Sequence, residues 1–99
     1  MDFETMERLL NEMRQTARQL SVARADKEYL FKFLPSKKSI LMAEAANYGL
    51  NTGIMQESYA LRHKEYIELL EGYKAAVENE HFLYYQFKTL QSEIDMRRS

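Results

Sequence analysis

Apolar residues recur through this chain at intervals of three and four, the spacing that lines one side of an α-helix. Phe3, Met6, Leu10, Met13, Ala17 and Leu20 keep a 3-4-3-4-3 order, which is the seam of a coiled coil. Arg24 and Lys27 interrupt it before Phe31 and Leu34 restore it. The pattern predicts a first long helix over about residues 2–34, with Asp2 as its cap and Glu4 and Glu7 at the positive end of its dipole. Pro35 has no N–H and disfavours helix in the residue before it, so a stop or kink is expected at Leu34.

Two short helices are expected next. Ser36 can cap one over about 37–48, with Ile40, Leu41, Ala45 and Tyr48 as its apolar face and Gly49 just past its end. Thr52 can cap the other over about 52–61, with Arg62-His63-Lys64 as a turn. A second long helix follows over about 65–97. Its expected seam is Tyr66, Leu70, Tyr73, Val77, Tyr84, Phe87 and Ile94, broken by Glu80 and Gln91. Nothing alternates as a strand would. The predicted fold is all-α: one domain over 1–99, a long antiparallel, coiled-coil-like helical hairpin with two short helices between the long ones.

The aromatic side chains of the last helix cover more than a narrow stripe. A further helix is expected to pack there, with Tyr73, Val77, Tyr84, Tyr85 and Phe87 as the surface of a homo-oligomer.

Composition sharpens this picture by exclusion. Three Gly and one Pro in 99 residues are too few for the turns of a sandwich or barrel. The absence of Cys removes disulfides and thiolate metal sites. The start of the chain lacks the apolar run of a signal peptide, and no stretch approaches the roughly 20 apolar residues of a membrane span. A cytoplasmic protein without membrane contact is expected.

No catalytic signature is visible: there is no glycine-rich phosphate loop and no nucleophile elbow. Glu78-x-x-His81 sets a carboxylate and an imidazole on one helical face, but di-iron bundles need two such motifs, and His63 has Ala60 three residues before it. No enzyme activity, cofactor or metal site is predicted.

The net charge of −1 hides an uneven distribution. Residues 14–38 carry a balance of +5 and residues 39–80 a balance of −4. The two segments can attract each other within one bundle, or either can be a working surface. Lys37 and Lys38, in the first turn expected after Ser36, oppose the dipole of that helix, and an anion would relieve the conflict. Arg14, Arg18 and Lys32 fall on one stripe of the first helix, so the five cations form a candidate track for phosphates. Tyr29, Phe31 and Phe33 interleave with them, as aromatic platforms do in single-strand binders.

These residues carry a resemblance. Ser36-Lys37-Lys38, Leu41-Met42, Glu44-Ala45, Gly49, Thr52, Gln56-Glu57, Tyr66, Leu69-Leu70-Glu71, Ala75-Ala76 and Arg97-Arg98 resemble stretches of small phage-encoded helical proteins associated with recombination. More distantly, the order of lysine-bearing turn, short head and long helix is similar to UvsY-type recombination mediators. The resemblance implies an oligomeric, non-catalytic accessory protein that binds single-stranded DNA and assists loading of a recombinase against single-strand-binding protein. Lys37 and Lys38 would then touch phosphates. Pro35, and Tyr84-Tyr85 where a tryptophan is expected, depart from the pattern. The competing reading is a helical protein-binding module, or a phage inhibitor of a host defence or repair complex, acting through the acidic segment.

Overall fold

The computed structural model describes residues 2–98. It contains three helices: α1 over Phe3–Asn47, α2 over Gly53–Arg62 and α3 over Lys64–Arg98. Among the described residues 93% are helical and no strand occurs. The all-α helical hairpin is therefore present, with one short helix between the long ones instead of two.

The difference lies at Pro35, which sits inside α1. The expected break at Leu34 and the helix start at Ser36 are both absent. A proline removes one i→i−4 hydrogen bond and crowds the carbonyl four residues earlier. Here Pro35 lies on the exposed side of α1, where water can reach the carbonyl of Phe31. Leu34, Lys37, Leu41 and Ala45 on the other side are half-buried or buried, and their packing holds the helix through the proline.

The helix ends follow local chemistry. Asp2 accepts from the Glu4 N–H at 3.1 Å, and Thr52 accepts from the Met55 N–H at 3.2 Å. Gly49 adopts φ 90°, and the Leu50 N–H returns to the Ala45 carbonyl at 3.1 Å, which closes the end of α1. α2 and α3 meet at the single residue His63, whose N–H bonds the Ala60 carbonyl. Its Nδ1 accepts from the Glu65 N–H at 3.1 Å, so the imidazole caps α3.

The chain forms two compact units, Met1–Asp26 with Ala76–Ser99, and Lys27–Ala75. In the first, Leu9 clusters with Leu90 and Ile94, and Leu20 and Ala23 with Leu83, which fixes the antiparallel order of the two helices. In the second, the buried residues are Leu41 (1% exposed), Ala45 and Ala60.

The inward residues keep a strict 3-4 order, but not the predicted one. α1 turns Met6, Leu9, Met13, Thr16, Leu20 and Ala23 inward, and α3 turns Ala76, Glu80, Leu83, Phe87, Leu90 and Ile94. The expected companions one position later flank the seam instead: Phe3 is 78% exposed and Phe31 60% exposed, while Leu70 and Tyr84 are also exposed. In an antiparallel pair these flanking positions of the two helices lie on the same side. Arg24 and Tyr84 demonstrate it, with the guanidinium 6.0 Å from the ring centre.

Candidate nucleic-acid interface

The predicted cationic track separates into engaged and open members. Lys37 Nζ lies 2.9 Å from Glu65, Lys38 Nζ 3.0 Å from Glu57, and Lys32 Nζ 3.1 Å from Glu28. The first two pairs join α1 to α3 and to α2. Because α1 is continuous at this point, neither Lys37 nor Lys38 stands at a helix start, and the N–H groups expected to hold an anion beside them belong to a helix interior. The opposite charges of 14–38 and 39–80 thus meet in part within the second unit.

Electrostatics there follow from those pairs. The Lys37 ammonium, by hydrogen bond and by charge, holds the Glu65 carboxyl below the usual carboxylate range. Glu44 lies 3.9 Å from His63 Nε2, while the ring of Tyr59 packs 5.7 Å from His63 and 6.2 Å from Tyr48. Desolvation, followed by the charge of Glu44, pushes the Tyr59 phenol up from its ordinary value.

Two track residues belong to the first unit and are exposed. Arg14 donates to Asn11 at 3.2 Å. Arg18 borders a groove of about 510 Å³ that also contains Gln19, Val22, Ala23, Asp26, Asn79 and Leu83. Val22, Ala23 and Leu83 make an apolar floor, Gln19 and Asn79 bring one amide from each helix, and Arg18 supplies the cation. Floor, paired hydrogen-bonding groups and cation are the elements that hold an unstacked base and its phosphate. Sequence reasoning found Arg18 but missed Gln19 and Asn79. Their juxtaposition follows from the antiparallel register, and only the shared side on which they flank the seam signals it.

The expected oligomer surface is divided likewise. Tyr73, Val77 and Phe87 are half-buried within the chain, whereas Tyr84 and Tyr85 are exposed and touch edge to face at 5.4 Å. Of the expected aromatic platforms, Tyr29 stacks on Phe33 at 6.0 Å, and Phe31 lies 5.8 Å from Tyr73. The Glu78–His81 motif does not converge with other ligands: His81 Nε2 lies 3.9 Å from Glu80, and among the described residues no group of three or more His, Cys, Asp or Glu could hold a metal ion. Among those residues, no helix is long and apolar enough to cross a membrane.

No family model matches the chain, and no curated protein or solved structure does.

Proposed function

We propose that the chain is a non-catalytic accessory protein of phage-type recombination that binds single-stranded DNA. The observation that carries this reading is the groove of the first unit, where Arg18 stands beside an apolar floor and two amides. The guanidinium takes a phosphate, the floor takes the face of a base, and Gln19 and Asn79 take its edge. Lys37 and Lys38 are secondary in this arrangement, because each must first leave a carboxylate at 2.9–3.0 Å. The resemblance to recombination mediators supplies the wider role: support of recombinase loading, with the recombinase or single-strand-binding protein as a further partner.

Titration of a labelled single-stranded oligonucleotide at two salt concentrations tests the reading. Each phosphate neutralised contributes about −0.7 to the log–log salt slope on single strands. Arg18→Ala is expected to weaken binding across sequences and flatten the slope by about 0.7. The Lys37→Ala/Lys38→Ala pair is expected to change the slope less than the roughly 1.4 that two open phosphate contacts would give. Absence of binding at low salt, or an Arg18→Ala variant with the parent's affinity and slope, refutes it.

A further inference from the structure

The side of the first unit opposite the groove carries the flanking stripe Phe3, Leu10 and Ala17 on α1, and Tyr84, Gln91 and Arg98 on α3. Phe3 is 78% exposed and Tyr84 37%. We propose that this face binds a second copy of the chain, about a two-fold axis perpendicular to the helices at the level of Leu10 and Gln91, to form an antiparallel four-helix bundle.

The argument rests on the pattern of the face about its own centre. Leu9 clusters with Leu90 and Ile94, so Leu10 and Gln91 lie at neighbouring heights on the two helices. A two-fold axis there brings Leu10 against its copy and Gln91 against its copy. It sets Phe3 over the second copy's Ala17, a large side chain over a small one, and Tyr84 beside the second copy's Arg98, a ring beside a cation. At the edge the same rotation brings Glu7 level with the second copy's Arg14. Sizes and charges are complementary under one operation, which is the demand an isologous interface makes of a surface. A different partner would not require the face to match itself.

Shape agrees, and the area sets the strength. Lys88, Gln91 and Asp95 line a shallow depression of about 380 Å³ along α3, which can receive a neighbouring helix. α1 begins at Phe3 and α3 ends at Arg98, so the overlap about this axis is about 15 residues or about 22 Å, and two helices about 10 Å wide give about 450 Å² per copy. The total of about 900 Å² is the size of a weak, concentration-dependent dimer. Arg18, Gln19 and Asn79 lie on the other side and stay open. Of the oligomer surface expected from sequence, Tyr84 lies within this overlap, Val77 follows it on the same stripe beyond the overlap, and Tyr85 points to the outer face of α3.

The chain has no cysteine, so single-cysteine variants report the geometry directly. Under mild oxidation Leu10→Cys and Gln91→Cys, both at the axis, should each give a covalent dimer. Gln19→Cys, in the groove, should not. Light scattering should give twice the 11.8 kDa chain mass at the highest soluble concentration. Phe3→Ser, at a position that contributes little to the intrachain core, should keep the helical circular dichroism and raise the dimer dissociation constant by about 10- to 100-fold, the value of one buried aromatic side chain. A monomer mass throughout overturns the proposal. So does an oligomer in which Gln19→Cys cross-links and the two axial variants do not.

Discussion

Replacing Pro35 by Ala separates a continuous α1 from a broken one. Interior proline costs a helix about 3 kcal/mol relative to alanine, from the lost hydrogen bond and the crowded carbonyl. Pro35 stands 33 positions into a described 45-residue helix and is exposed, so water and a slight outward bend recover part of that cost. Alanine should therefore stabilise the protein by about 2 kcal/mol. For a domain of this size one kcal/mol moves the melting temperature by about 4–8 °C, which gives a rise of about 8–16 °C. Circular dichroism melts read the shift, and urea titration at unchanged m-value shows that stability has changed without a change in the surface exposed on unfolding. A chain broken at Leu34 behaves in the opposite sense. There the proline sits comfortably in a turn and restricts the unfolded chain, and alanine would lower stability by about 0.4–1 kcal/mol. An unchanged or reduced melting temperature would refute the continuous helix.

Two further substitutions follow from the second unit. The depressed Glu65 carboxyl adds stability that is present above its unfolded value near 4.3 and is lost as pH falls through the lower folded value. Lys37→Ala should remove that increment, so the stability difference between parent and variant narrows as pH falls below about 4; melts at pH 7 and pH 3 measure it. Gly49 has φ 90° and open space around its Cα, so Gly49→Ala should cost about 1–2 kcal/mol from backbone strain alone, and Gly49→Asn less, by urea denaturation.

The helices themselves were legible because a 3-4 spacing has few other physical meanings. Which stripe faces inward was not. On both helices the residues three and four after each shared seam position are often apolar together: Leu9 and Leu10, Leu69 and Leu70, Ala76 and Val77, Leu83 and Tyr84. Local pattern cannot choose between them; the partner helix does. Even a threonine, Thr16, and a carboxylate, Glu80, are taken inward where the chosen phase demands it. Glu80 has Arg24 at 3.3 Å for company. The break at Pro35 failed for a related reason, since local preference was outweighed by packing on the opposite side of α1. Charge alone singles out Lys37 and Lys38 as phosphate contacts, but in the folded chain the anions beside them are Glu65 and Glu57, far along the same chain. Arg18 was legible as a cation; the groove beside it needed the register.

The joint at His63 differs in kind from the turn at residues 48–52. One residue separates α2 from α3, its N–H and ring nitrogen both occupied by the helices it joins, so the chain has no slack there to thread into a protease cleft or to accept an inserted tag. Residues 48–52 are exposed apart from half-buried Leu50 and carry the glycine that reverses the backbone. For anyone attaching a dye, an affinity tag or a second domain within the chain, the permissive address is the tip at Gly49 to Asn51, and the His63 joint is the place to leave closed.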